Sequence, residues 1–154
     1  MLQITPHYER VRKFMIQAKQ IPAMMTEPTV PDAATRILRA KLILEEALET
    51  VNALGVTAYV NGQDIAKTDL GFEANHEPNL VEIADGCADV MVVTTGTLIA
   101  CNIEDRPLLE AVDQNNLAKF GPGHSFREDG KLIKPPGHKP PDIAEVLRAQ
   151  GWEG

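Results

Sequence analysis

A group of acidic residues in the first third of the chain has the residue types and the spacing of a metal site. It consists of Glu45, Glu46 and Glu49, in the segment LILEEALET. Residues three and four positions apart share one side of a helix, so these carboxylates would lie together. They stand among apolar residues, where an acid is costly unless a cation meets it. The alternative is a solvated helix face, which is the better interpretation of this group alone because Glu is a common helix former.

A second acidic group, Glu82, Asp85 and Asp89 in VEIADGCADV, shifts the balance towards a metal site. Its members are again three and four positions apart, and no Lys or Arg occurs from Leu80 to Asn102. None of these acids therefore has a basic partner one turn away within the segment. Two such stripes facing each other would form an oxygen-rich pocket suited to Mg²⁺ or Mn²⁺, the hard cations that accompany phosphates.

The elements that must position these acids are helices. Apolar spacing, capping residues and helix stops predict four or five of them in one all-α domain over residues 1–154, a four- to five-helix bundle. The expected helices run from Tyr8 to Gln20, from Asp32 to about Leu54, from Asn79 to Cys101, from Asp105 to Phe120, and over a short segment after Asp142. For the third, a strand within 90–97 is the alternative because β-branched residues are dense there.

Two stretches between or after the helices are expected to be non-helical. Residues 56–78 form an irregular excursion between the second and third helices, and the Asn61-Gly62 pair within it suggests a tight turn and a small hairpin. The basic, proline-rich tail from His124 to Pro141 cannot be a regular helix and is expected to be flexible.

Composition and charge narrow the class of protein. The chain is 44% hydrophobic and 24% charged, as in soluble globular proteins, and its net charge of -7 argues against binding nucleic acid through a basic surface. Cys87 and Cys101 lie in the same apolar segment, which favours buried thiols over a disulfide and a reducing cytoplasm as the location. The histidines lack metal-ligand spacing and are expected at the surface; they are His7, His76, His124 and His138.

The most apolar run, Val90 to Cys101, is expected to be a buried core helix. Its twelve residues fall short of the roughly 20 that span a bilayer, so no membrane partner is expected. The polar N-terminus likewise predicts no signal peptide. As a helix, the run would be apolar around nearly its whole circumference, and one small domain rarely buries such a helix alone. A homodimer or homotetramer is therefore expected.

At this point the motifs resemble a known superfamily. The EExxE motif at 45–49, followed by ExxD at 82–85, is similar to the signature of the all-α nucleoside triphosphate pyrophosphohydrolases, which include MazG-like proteins, phosphoribosyl-ATP pyrophosphohydrolases and dimeric dUTPases. Asn116 and Lys119 in NNLAKF, with the DGKLIKP element at 129–135, resemble single-domain MazG-like members, including phage-borne ones. The chain departs from the compact family pattern in the longer gap between its two acidic motifs.

The resemblance implies attack by water on the α-phosphorus of a nucleoside triphosphate, with release of a monophosphate and pyrophosphate. It implies that two or three Mg²⁺ or Mn²⁺ ions are bound and that Glu45 is the general base or an additional ligand. Asp89, one turn beyond the motif, either supports the site or satisfies a neighbouring polar group. The implied metal ligands are Glu46, Glu49, Glu82 and Asp85.

Four further residues are implied to bind substrate. Lys119 would reach a phosphate and Asn116 an oxygen or a sugar hydroxyl, while Lys131 and Lys134 would close over the phosphates from the same or a neighbouring subunit. A structural alternative exists for each lysine. Lys119 would compensate the dipole at a helix C-terminus, and the other two would add only solubility.

Among substrates, the resemblance favours a purine such as dGTP or GTP. Nucleotides of the dUTP and dCTP type and phosphoribosyl-ATP are the alternatives within enzymes, and base selection depends on a pocket shape that the sequence does not display. A different class also fits the acids, namely a non-enzymatic helical oligomer that binds a structural ion or a basic partner.

Overall fold

The computed structural model describes residues 4–22, 27–128 and 131–154, and this part of the chain is mostly helical. The helices are α1 (Pro6–Gln17), α2 (Ala33–Ala53), α3 (Leu80–Ala100), α4 (Asp105–Ala118) and α5 (Ile143–Arg148). The strands are β1 (Tyr59–Val60), β2 (Gln63–Asp64), β3 (Ser125–Phe126) and β4 (Leu132–Ile133), and one turn of 3₁₀ helix covers Ile65–Lys67. The predicted all-α fold is confirmed.

The strand alternative for residues 90–97 is wrong, since this segment lies inside α3. The hydroxyl of Thr94 donates to the carbonyl of Val90 at 2.7 Å, and that of Thr97 donates to Val93 at 3.1 Å. Bonds of this kind to the preceding turn satisfy the hydroxyls of β-branched threonines inside a helix. The high β-branched content of the segment therefore does not prevent helix formation.

The chain divides into two compact units. The first joins Met1–Pro28 to Asn79–Gly154 and contains α1, α3, α4, α5 and the β3–β4 hairpin. The second is Thr29–Pro78, with α2, the β1–β2 hairpin and the 3₁₀ turn. The single domain expected from the sequence stays a prediction.

Helices α2, α3 and α5 start at the capping residues that the sequence indicates, whereas α1 begins and ends two and three residues before its predicted bounds of Tyr8 and Gln20. Asp32 accepts a hydrogen bond from the backbone of Thr35 at 2.7 Å, and this bond, with a further one from the Thr35 side chain, lowers the pKa of Asp32. Asn79 accepts from the backbone of Val81 at 3.0 Å, and Asp142 accepts from that of Glu145 at 2.9 Å. These bonds satisfy amides that the first helical turn leaves without partners.

The excursion between α2 and α3 begins with the hairpin that the Asn-Gly pair predicts. Strands β1 and β2 are antiparallel, and the two turn residues, Asn61 and Gly62, have φ values of 49° and 78°. Positive φ at both turn residues matches the right-handed twist of the strands. Asp64 then holds the 3₁₀ turn by accepting from the backbone of Ala66 at 3.0 Å.

The C-terminal tail is not a regular helix, as the sequence predicts, and part of it forms a hairpin. Strands β3 and β4 pair antiparallel, and the amide of Arg127 donates to the carbonyl of Lys131 at 2.9 Å. Asn115 of α4 donates to the carbonyl of Lys139 at 2.8 Å, and its side-chain oxygen lies 3.0 Å from Nε2 of His138. The expected flexibility of the tail stays a prediction, and these bonds were not anticipated because long-range contacts leave no local pattern in the sequence.

In the first unit, α1 packs on α4 around a buried carboxylate. Asp113 is only 4% exposed and accepts from Nε of Arg10 at 2.9 Å. Nδ1 of His7 lies 2.7 Å from the same oxygen, and the rings of Phe14 and Phe120 are 5.2 Å apart beside these polar contacts. The sequence predicts His7 as a surface residue, but its ring contacts the Asp113 carboxylate. This contact helps to stabilise a negative charge that water cannot reach.

Asp113→Ala is expected to lower the free energy of unfolding by about 2–3 kcal/mol, because it leaves Arg10 and His7 without their shared acceptor. Urea unfolding at fixed protein concentration measures the loss. The control is Glu110→Ala, an exposed acid on the same helix, expected to change stability by about 0.5 kcal/mol or less. Equal losses in the two variants would contradict a structural role for the buried ion pair.

Helix α3 is exposed over most of its surface. Its apolar side chains lie open to solvent, with Met91 62%, Val92 68%, Val93 64% and Ile99 72% exposed. Both cysteines are free thiols and exposed, so the prediction that they are buried is wrong for a single chain. At 21 residues the whole helix is also long and apolar enough to cross a membrane by length and composition, which the twelve-residue run did not suggest.

Few side chains form a core within one chain. Among the described residues, the buried apolar ones are Ala18 and Leu38. The apolar side chains of α3 form an exposed surface of the kind that contacts a protein partner or a membrane.

Candidate active site

Helix α2 carries the first acidic group in its second half. Glu45 is half-buried, whereas Glu46 and Glu49 are exposed. The helix forms here because Asp32 caps its start, and Gly55, with φ of 75°, follows its end. The carboxylates of Glu46 and Glu49 have no hydrogen-bond or ion-pair partner within the described residues.

Helix α3 carries the second acidic group in its first half. Glu82 lies in the first turn, where the positive end of the helix dipole favours an acid. Asp85 and Asp89 follow one and two turns later, and all three are exposed. In the part of the chain that the structure describes, none of the three carboxylates has a partner.

The two acidic groups meet the chemical requirement of a metal site in part. The four implied ligands, Glu46, Glu49, Glu82 and Asp85, are exposed and have no partner among the described residues, and their carboxylate oxygens are the donors that Mg²⁺ and Mn²⁺ prefer. Within the described residues, no group of three or more His, Cys, Asp or Glu is placed to hold an ion. The donor types therefore fit the cations, and the ligand set as a whole remains a prediction.

The predicted substrate-binding residues lie in the first unit. Nζ of Lys119 donates to Oδ1 of Asn116 at 2.5 Å at the C-terminal end of α4, so this pair is in direct contact. Lys131 and Lys134 stand on either side of β4, the first half-buried and the second exposed. Asp129 and Gly130, which begin the DGKLIKP element, lie outside the described residues.

A cavity of about 410 Å³ opens beside the α2 acids, within the second unit. One wall is α2, which contributes Glu45 and Glu49, and the other is the segment that follows the β1–β2 hairpin. The 3₁₀ turn packs on α2 and places Phe72 in that second wall. Glu46 is not part of the lining.

Several polar and aromatic residues of this cavity were not anticipated from the sequence. Asn52 lies three residues after Glu49 on α2, so helical spacing alone could have identified it. Asp69 and Phe72 lie in the irregular part of the excursion, where no periodic signal exists. Their placement depends on the hairpin and the 3₁₀ turn folding against α2.

A mostly helical chain with one acidic group on each of two long helices has the features of the all-α pyrophosphohydrolases. Residues 11–116 match the phosphoribosyl-ATP pyrophosphohydrolase family. The solved structure of a candidate NTP pyrophosphohydrolase from Exiguobacterium sp. 255-15 is similar, with a TM-score of 0.65 and 26% sequence identity over 95% of this chain and 96% of that one. The comparison with curated proteins found no match.

The chain therefore belongs to the phosphoribosyl-ATP pyrophosphohydrolase family. It is a pyrophosphohydrolase, an enzyme that hydrolyses phosphoric anhydrides. This confirms the resemblance drawn from the acidic motifs and the enzyme class that it implied.

Proposed function

We propose that the chain hydrolyses a nucleoside triphosphate to the monophosphate and pyrophosphate, with Mg²⁺ or Mn²⁺ as cofactor and dGTP or GTP as the favoured substrate. The observation that carries the proposal, in a chain of this family, is a set of carboxylates on α2 and α3 without a partner among the described residues: Glu46, Glu49, Glu82, Asp85 and Asp89. Solvated faces usually carry both signs of charge, whereas α3 has acids alone.

Four carboxylates are proposed as the ligands of two or three ions: Glu46, Glu49, Glu82 and Asp85. When bound, the ions supply positive charge against the triphosphate and make water more acidic. Asp89 lies one turn after Asp85 on α3 and is proposed to orient the metal ligands next to it. The proposal requires the α2 and α3 rows to meet, in one chain or across an assembly.

Glu45 is proposed as the general base. It is half-buried, and burial restricts its rotamers, which suits a group that must be aimed at one water molecule. The carboxylate takes a proton as the water oxygen bonds to the α-phosphorus. The bond from the α-phosphorus to the bridging oxygen breaks, and pyrophosphate leaves with the electron pair.

The charge that develops on pyrophosphate is proposed to meet the cationic residues of the first unit. Lys119 is held by Asn116 at the end of α4, which fixes the ammonium group in place. Lys131 and Lys134 flank β4, so the hairpin rather than a free tail would carry them to the phosphates. Positioned cations stabilise a leaving group more than mobile ones do because they need no reorganisation.

The working enzyme is proposed to be a homodimer or homotetramer in the cytoplasm. The exposed apolar side chains of α3 support an assembly in which copies of the chain cover one another. A second copy is preferred to a membrane because α3 carries three acids in its first half, which a bilayer would exclude. Neither nucleic acid nor membrane is a proposed partner.

A second candidate substrate is phosphoribosyl-ATP, because the matching family carries its name. Hydrolysis would again release pyrophosphate, so both candidates require the same ligands and base. Pyrimidine nucleotides of the dUTP and dCTP type form a third candidate class, which differs from the first in the base alone.

A panel of nucleotides tests the proposal. With Mg²⁺, the purified protein is expected to release pyrophosphate from dGTP or GTP faster than from dUTP, dCTP, ATP or phosphoribosyl-ATP. Removal of divalent ions with EDTA is expected to lower the rate by about 100-fold or more, because several kcal/mol of charge stabilisation is lost. Addition of Mg²⁺ or Mn²⁺ in excess of EDTA should restore it.

Three outcomes would contradict the proposal. They are no turnover of any nucleotide, release of orthophosphate in place of pyrophosphate, and a rate that does not respond to EDTA. A divalent ion that raises the melting temperature without any turnover would favour the non-enzymatic metal-binding oligomer.

A further inference from the structure

The cavity of the second unit contains a part that the hydrolytic chemistry does not use. Its volume of about 410 Å³ falls within the range of small-molecule sites, roughly 300–1,000 Å³. Away from the acids its walls are largely apolar, with Leu44, Leu48, Ile65 and Phe72. An apolar recess continuous with a charged edge is the usual form of a site for an amphipathic ligand.

Charge determines which part of a nucleotide this recess can take. Its lining includes three acids, Glu45, Glu49 and Asp69, and one base, Lys41. Ions bound beside Glu45 and Glu49 would offset the charge of those two acids, but Asp69 would still repel a phosphate and would not repel an uncharged nucleobase. Phe72 offers a ring face for stacking, a contact that every base can make.

Two polar side chains of the lining are available to read the edge of a base. Asn52 and Asp69 are exposed and have no side-chain partner within the described residues, whereas the hydroxyl of Thr68 already donates to the carbonyl of Asp64 at 2.9 Å. A carboxylate accepts hydrogen bonds only, so Asp69 selects a base that presents N–H donors. Guanine offers two adjacent donors, N1–H and the 2-amino group, on one edge.

We propose that the cavity between α2 and residues 65–72 is the nucleobase site of the enzyme, with Phe72 against the face of the base and Asp69 and Asn52 on its edge. The inference rests on the proposed function, because Glu45 and Glu49 in the same wall bring the recess within one nucleotide length of the phosphates. If the site lies here, base specificity is determined by the hairpin excursion between α2 and α3. This excursion is the part of the chain that departs from the compact family pattern.

Phe72→Ala tests the face of the base. The KM for GTP is expected to rise about tenfold with little change in kcat, because stacking binds ground state and transition state alike. The inhibition constant of inorganic tripolyphosphate, which has no base, should stay unchanged. Tyr59→Ala is the matched control, since Tyr59 is 66% exposed on β1 and does not line the cavity.

Asp69→Asn tests the edge of the base. The ratio of kcat/KM for GTP to that for ATP is expected to fall by about tenfold, because the amide no longer accepts two N–H bonds at once. Phe72→Leu, a second variant at the stacking position, retains apolar volume, and it is expected to show a smaller rise in KM than Phe72→Ala.

The outcomes separate this inference from the proposed function. A wild-type enzyme that hydrolyses nucleotides while Phe72→Ala and Asp69→Asn leave KM and the base preference unchanged overturns the nucleobase site alone. A rise in the tripolyphosphate inhibition constant that parallels the rise in KM also overturns it, because the variant would then disturb phosphate binding. A wild-type protein without nucleotide turnover overturns both.

Discussion

Glu49→Gln and Asp85→Asn are each expected to lower kcat/KM for nucleotide hydrolysis by at least about 100-fold while the helices stay folded. Both side chains are exposed and have no partner within the described residues, so their loss breaks no contact in the fold. Loss of a group that only supports a metal ligand already costs about 10–100-fold, and loss of a ligand itself costs at least as much. Steady-state kinetics with pyrophosphate detection measures the effect.

Glu110→Gln provides the matched control for this first expectation. Glu110 is an exposed helical acid on α4, outside both acidic rows, and the same substitution there should leave kcat/KM within about twofold. Circular dichroism and urea unfolding show whether each variant remains folded. Full activity in Glu49→Gln and Asp85→Asn would remove these residues from the site, and unfolding of both would assign the acids a structural role.

Excess Mg²⁺ or Mn²⁺ provides a further readout on the same variants. If the carboxylates bind the ions, higher metal concentration should recover part of the lost activity in Asp85→Asn, since the amide oxygen is still a weaker ligand. A purely structural role would give no such rescue.

Val92→Glu is expected to convert the assembled enzyme to a monomer and to abolish activity with it. Val92 is 68% exposed on α3 in the single chain, and the proposed interface would bury it. An acid buried there without a partner costs about 3–5 kcal/mol, and a symmetric interface contains two copies of it. The dissociation constant of the assembly should therefore rise by well over about 100-fold.

Sedimentation equilibrium over a range of protein concentrations tests this second expectation. Val56→Glu is the control, because Val56 is 54% exposed in the loop after α2 and outside the proposed interface. The control should retain both the assembly and the activity. A wild-type protein that is monomeric at micromolar concentration would contradict the proposed assembly, and one that stays soluble only in detergent would favour a membrane as the cover of α3.

The site could be predicted from the sequence only in its residue types. Helical spacing identified the two acidic rows, because three- and four-residue periods are local properties of the chain, whereas Asn116 and Lys119 were proposed only from the family resemblance. Asp69 and Phe72 were missed because they enter the cavity from a segment without periodicity. Whether the acidic rows converge is a matter of tertiary and quaternary structure, which no spacing rule encodes.

The sequence by itself determined which segments are helical and where α2, α3 and α5 begin, because caps and turns act within a few residues. Asp32, Asn79 and Asp142 begin helices where their side-chain oxygens can reach a nearby amide, and Asn61-Gly62 turns the hairpin because both residues tolerate positive φ.

Only the tertiary structure decided which of these elements meet. The buried Asp113 contacts residues more than a hundred positions away, and the tail is held by Asn115 through bonds that span 23 and 24 positions. The composition of α3 led to an expectation of burial, but the chain alone leaves that helix exposed. Local preference sets a residue's conformation, whereas burial depends on what packs against it from elsewhere in the chain or from another copy.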